Sequence, residues 1–436
     1  MSTTAVHPYI ESLLTGTREL ARTPHGWLDE RRGAALERAN ALSVPTTRDE
    51  EWRFTDLTPL TRLKLRPSRP ESGGVGADAL AAFEVPEAGA RLVFVDGVFA
   101  PQLSATAAAP GGLYVQPLAE ALTRDGKRLE PYLAQLALYE RNVFVALNTA
   151  HLRDGSVVVV PKSVACEKPV HILHFALAAE TASYPRCLVV AEPGAECTLV
   201  EEYASAADGS YFTNAVTEIA VASGAKLRHV RLQRENERAF HIGACAVAVA
   251  KDASYATQTI SLGARLSRYD LRVALNGEGA AAQIDGLALI SGRQLADTHT
   301  LIDHAEPNGR STQLHKTIVG GAGHAVFNGK IFVRPGAQLT DSAQQSRNLL
   351  LSDKATVDTK PQLEIFADDV KCAHGATVGQ LDPEQLFYLR SRGLPDAVAR
   401  NLLTYAFGAA VIERIPVPSL VRRLEGIVMA QTGAPA

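Results

Sequence analysis

The sequence predicts a mainly β protein, a stacked β-solenoid flanked by helical segments at its two ends, and three observations lead there. Between about Arg91 and Asp382, short runs rich in Val, Ile, Leu and Thr alternate with brief breaks, as in GSVVVVP, CLVVAEPGAECTLV and HAVFNGKIFVRPGAQL. Turn signals at Gly194, Gly224, Ala253 and Gly279 are spaced 30, 29 and 26 residues apart; later ones at Gly309, Gly323, Gly336, Lys354 and Val370 are spaced 14, 13, 18 and 16. One spacing is about half the other, as in a coil with two strands per turn. A sandwich more usually shows turn signals every ~8–12 residues. Finally, the chain carries helical periodicity before and after this region. The repeats share no residue-level motif, and Asn328, Gln338, Asn348 and Asp358 are candidates for polar ladders inside the coil.

Composition fits a folded, water-soluble chain. Of 436 residues, 46% are hydrophobic and 21% charged, enough apolar material for a sizeable core. Lysine and arginine number 44 against 47 acidic residues, a formal net charge of -3, so no basic stripe marks a dedicated nucleic-acid binder. No run approaches the ~18 apolar residues of a membrane span. The opening MSTTAVHPYIESLL lacks the basic and apolar regions of a secretory signal. Cys166, Cys187, Cys197, Cys245 and Cys372 are odd in number and scattered, which implies no disulfide framework and a reducing, cytoplasmic setting. The first four read as core residues.

The elements follow in order. Residues 1–88 read as a helical region and linker. Pro8 to Thr15 forms one helical stretch, and Trp27 to Leu42 a second with Trp27, Leu28, Ala35, Leu36, Ala39 and Leu42 on one side. Pro67 to Gly76 reads as an exposed linker. Residues 89–381 form the β core. Residues 382–436 are helical again: Asp382 before Pro383 supplies an N-cap and a first-turn proline, and Gly393 closes that helix. Pro395 opens a second helix with Val398, Leu402, Leu403, Ala406, Ala410 and Val411 as its apolar stripe. Pro418 opens a third with Leu420, Val421, Leu424, Ile427 and Val428. These helices either cap the solenoid or bind a partner.

Several constellations bear on chemistry. GHAVFNGK, Gly323 to Lys330, resembles a phosphate loop but has five residues between its glycines and Ile331 where Ser or Thr should hold magnesium; VGGAGH, Val319 to His324, lacks dinucleotide-loop spacing. No nucleotide site is read. His299, His304, His315 and His324, with Asp297 and Asp303 nearby, are dense enough to consider for metal, yet match no compact ligand motif. The sharpest local chemistry is Cys372 and His374, two residues apart. On an extended strand they leave one face side by side, and thiolate with imidazole favours iron, zinc or copper(I). Two ligands do not complete a shell, so the rest must come from elsewhere in this chain or from another subunit. The bland alternative is a buried free cysteine beside a hydrogen-bonded histidine. Cysteine-nucleophile catalysis with His374 as base suits the parallel geometry poorly, and Asp368, Asp369 and Lys371 are a sparse set for a solenoid hydrolase or lyase.

The segment LEIFADDVKCAHGATVGQLDPEQLFYLRSRG, Leu363 to Gly393, resembles the most characteristic block of the SufB/SufD family of iron–sulfur cluster assembly proteins. The resemblance extends through Phe144 to Ile172, His315 to Val333 and Ala337 to Asp353, and EWRFTDL at Glu51 to Leu57 fits the N-terminal part of the D-type subunit. B-type scaffolds place a cysteine just after the LFY triplet, where this chain has Leu389, and the C-x-H-G-A-T stretch from Cys372 to Thr377 is similar to the D type. The resemblance implies a right-handed parallel β-helix and a non-enzymatic scaffold role. It also implies a complex with a SufB-type scaffold subunit and the ABC-type ATPase SufC, the latter bound through the C-terminal helices. Further, it implies that His374, with Cys372 as its companion, meets a transient iron or Fe–S cluster at the interface with the B subunit. No permanently bound cofactor is expected. The isolated chain is a candidate homodimer through the same edge. A purely structural partner that stabilises the B subunit and contributes no ligand is the alternative.

Overall fold

The computed structural model describes residues 7–20, 22–68, 75–106 and 112–431. From Ser156 onward, strands fall alternately into two sheets, apart from the short Thr181–Ser183, which precedes Arg186–Ala191 in the first sheet. The first sheet runs through Ser156–Val160, Arg186–Ala191, Phe212–Val221, Phe240–Val249, Leu266–Leu275, Leu295–His304, His324–Val333 and Thr356–Ile365. The second runs through Val170–Ala176, Glu196–Ser205, Lys226–Arg234, Ser254–Ser261, Ala281–Ile290, Arg310–Val319, Thr340–Leu350 and Val370–Gly379. Every pairing within these two series is parallel, with register partners from 26 residues apart (Phe240 with Leu266) to 32 (His324 with Thr356). This is the two-strand-per-turn solenoid that the turn spacing predicts, about 8 turns long. Its corners need backbone that few residues adopt: Gly194, Gly224, Gly279, Gly292 and Gly321 all have positive φ.

A parallel sheet must be covered on both faces. Inside, the two sheets cover each other. Outside, helices from the two ends of the chain do most of this, the N-terminal ones on the first sheet and the C-terminal ones on the second. The N-terminal helices Pro8–Leu14 and Gly26–Ala41 and the helix Val143–Ala150 lay Ile10, Leu13, Ala35, Ala39, Phe144 and Leu147 over Phe212, Phe240, Ile242 and Leu266 of the first sheet. The C-terminal helices Asp396–Ile412 and Pro418–Gln431 lay Val411, Ile412, Leu420, Leu424 and Val428 over Val200, Val230, Leu232, Ile260, Leu287 and Ile318 of the second. Burying such clusters at ~25 cal/mol per Å² of apolar surface is what fixes the helices there.

Four expectations change. The C-terminal helices flank the second sheet instead of capping the coil, and the last strands are left open. The stripe of helix Asp396–Ile412 is rotated: Ala399, Gly408, Ala409, Val411 and Ile412 are buried, whereas Val398 and Leu402 are 43% and 40% exposed. The helix is apolar nearly all round, so periodicity alone does not choose a face; the small residues Gly408 and Ala409 let its backbone approach the sheet. In the expected linker, Arg66–Pro67 instead forms a short parallel strand with Thr181–Ser183, and residues 69–74 lie outside the described residues. Helices Leu118–Leu129 and Val143–Ala150 stand within the stretch read as strand-rich.

Candidate functional site

Inside the coil, the side chains change character along its length. The early turns are apolar, with Val158, Val160, Ile172, Val189, Leu199, Ile219 and Val221. Further on, charge enters. Glu201 accepts hydrogen bonds from the Tyr203 hydroxyl (2.7 Å), Thr217 Oγ1 (2.8 Å) and His229 Nε2 (3.0 Å). Burial opposes its ionisation, but His229 and these donors win and hold the carboxyl down at about 2. His241 Nδ1 donates to Glu235 at 2.7 Å and its Nε2 accepts from Arg231 at 2.5 Å, while the Arg231 guanidinium lies 4.1 Å from the Tyr269 ring. Nothing in the composition signals this line. Its trace in the sequence is a set of polar residues at alternate strand positions, as in Glu201 and Tyr203.

Towards the C-terminal end the interior becomes a neutral polar ladder. Ser311 Oγ and Ser342 Oγ are 2.6 Å apart, His304 Nε2 is 2.9 Å from Ser311 Oγ, and Gln344 Nε2 donates to Gln313 Oε1 at 2.6 Å. Gln313 passes its own amide to Thr300 at 2.6 Å. Glycines make room: a Cβ at Gly286 would lie 2.3 Å from the His315 ring, and one at Gly329 2.3 Å from Gln344 Nε2. Of the four ladder candidates, Asn348 is inside, donating to Ser346 Oγ and Thr377 O. Asp358 faces out to His324 at 2.7 Å, Asn328 shares that face between His299 and Lys360, and Gln338 sits in a corner.

This ladder ends at the pair singled out in the sequence. Thr340, Ser342, Gln344, Ser346 and Asn348 are the buried, alternate positions of their strand, and their register partners in the last strand are Val370, Cys372, His374, Ala376 and Val378. Cys372 and His374 therefore leave one face, directly beyond Ser342 and Gln344. Cys372 is half-buried against Ile331, Val333, Ala337 and Ala367; His374 is exposed. Burial, with the Asp341 carboxylate a second cause, pushes the Cys372 thiol above its ordinary range. Gln344 is 1% exposed and its Oε1 has no hydrogen-bond partner among the described residues, leaving a buried acceptor one strand from the His374 ring. Asp369 takes a corner position, its N–H donating to Gln338. No group of three or more His, Cys, Asp or Glu side chains is placed to hold a metal ion among the described residues.

The other histidines part company. His299 sits outside the first sheet with Asp297 (3.0 Å) and Glu51 (3.2 Å), His324 pairs with Asp358, and His304 and His315 are interior. Burial drives the His315 ring, stacked 4.2 Å from Phe327, down to about 3. The loop-like GHAVFNGK lies mostly within a paired strand, with Lys330 facing out to Glu364 at 2.5 Å.

The open end is also an edge. Val370–Gly379 is exposed along most of its length, and its partner sheet ends at Thr356–Ile365, where Pro361 stands mid-strand as only an edge strand allows. Ile365, Phe366 and Val378 are exposed on this terminal turn, and Phe387 and Tyr388 are 72% and 56% exposed on the adjoining helix Pro383–Ser391. That helix starts at Asp382, whose side chain accepts from Glu384 N–H at 2.8 Å. A cleft of about 440 Å³ beside it is lined by Leu351, Leu386, Phe387, Arg390, Asp396 and Arg400. No described helix is long and apolar enough to cross a membrane.

Comparison with known proteins agrees with this picture over nearly the whole chain. Residues 174–407 match the family model described as SUF system FeS cluster assembly, SufBD core domain, and residues 5–172 match the SufBD protein N-terminal region. The chain is 39% identical over 418 residues to an iron–sulfur cluster assembly SufBD family protein of Synechocystis, covering 93% of this chain and 91% of that one. It is 37% identical over 385 residues to the iron–sulfur cluster assembly protein SufD of Escherichia coli, covering 87% of each. It is also 32% identical over 397 residues to the chloroplastic protein ABCI7 of Arabidopsis thaliana, covering 88% of this chain and 82% of that one.

Proposed function

This chain belongs to the SufBD family of SUF-system iron–sulfur cluster assembly proteins, and on that premise we propose that it is the D-type scaffold subunit of an assembly machine. It pairs with a SufB-type scaffold, is moved by the ATPase SufC, and lends Cys372 and His374 to iron or a nascent cluster that is cargo, not a resident cofactor. It catalyses no turnover of its own. The observation that carries this reading is the pair itself: a soft sulfur and an imidazole on one face of an open edge strand, with no third ligand grouped with them among the described residues. Neutral imidazole and thiolate suit iron, and a two-ligand site leaves positions for a second polypeptide. The raised Cys372 thiol means that its proton leaves as the metal arrives.

The edge supports the partner. Unpaired backbone N–H and C=O groups beside exposed Ile365, Phe366 and Val378 are a template for strand addition. In isolation, the same edge pairs with a second copy of the chain. The outward apolar side of the C-terminal helices, with Phe387, Tyr388, Val398 and Leu402, is the surface proposed for the ATPase.

His374→Ala in the co-expressed complex should reduce iron and acid-labile sulfide content several-fold while the subunits still co-purify, since one interface side chain rarely decides a large interface. A second reading, the purely structural strand partner, draws on the fact that the exposed apolar edge does not depend on either ligand. Undiminished iron and sulfide in the Cys372→Ala/His374→Ala double variant would select it.

A further inference from the structure

A second thiol arrangement lies at the opposite end of the solenoid. Cys166 sits in the connection between Ser156–Val160 and Val170–Ala176; its N–H donates to Glu196 O at 2.8 Å, and Glu196 N–H donates to Val164 O at 2.8 Å. Ala165 is thereby paired in parallel with Glu196, so the next residue on each side, Cys166 and Cys197, stand directly opposite one another. Both pack on the interior apolar cluster, so both leave the same face as neighbours, and Cys197 Sγ donates to Thr198 O at 3.6 Å. Neighbouring strands stand ~4.8 Å apart, inside the ~4.4–6.8 Å range of Cα separations that a disulfide spans. The pair is asymmetric: Cys166 is half-buried, whereas Cys197 is 5% exposed.

We propose that Cys166 and Cys197 form a redox-active dithiol, with Cys166 the attacking thiol reached from solvent and Cys197 the resolving one. With a peroxide, the Cys166 thiolate attacks one oxygen and the O–O bond breaks. This gives a Cys166 sulfenic acid and, from hydrogen peroxide, one water. The Cys197 sulfur then attacks the sulfenic sulfur, the S–S bond forms, and the hydroxyl leaves as a second water. Two thiols have lost two electrons and two protons, and the peroxide has been reduced by two electrons. The neighbouring Cys197 thiol lowers the Cys166 thiol below its ordinary value, while Cys197 is itself raised, in keeping with these roles. Cys187 and Cys245, fully buried and with their thiols pushed up (Cys245 to about 12), have no such partner role. A bridge between directly opposed residues strains the sheet, which makes it easy to reduce again and therefore reversible. Closed, it staples the connection after Pro161 to the strand Glu196–Ser205.

The test uses the full chain treated with hydrogen peroxide, blocked with iodoacetamide and mapped by mass spectrometry. The expected product is a dithiothreitol-reversible link between the Cys166 and Cys197 peptides, with the other three cysteines alkylated. In Cys197→Ser, dimedone should trap Cys166 as a sulfenic acid, with labelling roughly tenfold above that of the wild type, where the resolving thiol consumes it. Free, alkylatable Cys166 and Cys197 after treatment would overturn the proposal, as would equal dimedone labelling of wild type and variant.

Discussion

Glu218→Ala should lower the unfolding free energy by roughly 3–5 kcal/mol, the range for removing one partner of a buried ion pair. The Glu218 side chain is wholly buried on the outer face of the first sheet, 2.5 Å from Arg186 Nη2. It also accepts from four successive backbone N–H groups, Ala134 at 2.7 Å, Gln135 at 2.9 Å, Leu136 at 2.8 Å and Ala137 at 3.0 Å. Arg186 in turn donates to Asn148 Oδ1 at 2.9 Å, and Asn148 Nδ2 donates to Pro185 O and Asn214 O. One carboxylate thus ties helix Val143–Ala150 and the turn before it to the solenoid. Removing it leaves a buried guanidinium and several donors unpaired, each of which costs about 1–3 kcal/mol or more. Urea titration measures the loss. Limited proteolysis should show the first cuts in residues 130–150, where the clamp is lost. An unchanged midpoint would sink this account of how the N-terminal region is held.

Stability should also fall as the pH rises through about 9, because of His299. The buried Asp297 carboxylate at 3.0 Å, helped by Glu51, outweighs desolvation and raises this histidine to about 9. In the unfolded chain it returns to about 6.5. A raised folded value means that the contribution is complete below about 6.5, erodes above it and is lost past 9. At 1.36 kcal/mol per unit, the whole effect is at most roughly 3 kcal/mol. It falls on the segment EWRFT: Arg268, paired with Asp297 at 2.5 Å, stacks 3.8 Å from the Trp52 ring and donates to Glu51 O, while Thr55 Oγ1 donates to Asp297 at 2.5 Å. Urea midpoints between pH 6 and 10 should decline in the wild type and stay flatter in His299→Gln. Parallel curves would remove His299 from the account.

Both clamps show where a reading of the sequence stops. EWRFTDL was legible as a family-like motif, but its task, docking onto Arg268 and Asp297 more than 200 residues away, depends on register. The two-residue spacing of Cys372 and His374 was enough to place them on one face, because side chains alternate on any strand. That this face continues an interior column of Ser342 and Gln344, and that the strand is an exposed edge, required the stacking of successive turns. Periodicity puts Val398 and Leu402 on the buried stripe of Asp396–Ile412, yet they are exposed, because an almost uniformly apolar helix gives periodicity nothing to choose by. Cys166 and Cys197, read separately as core residues, sit 31 positions apart and meet only because one turn of the coil is about that long.

By itself, the order of residues determined the β-solenoid class, the helical ends and the sulfur–nitrogen pair, since all three rest on local spacing and turn chemistry. The tertiary structure alone decided which sheet each end covers, which charges are sealed inside, and which strand is left unpaired. Those outcomes depend on the rise of one turn over the next, a length that every residue in the turn sets together and no short segment encodes.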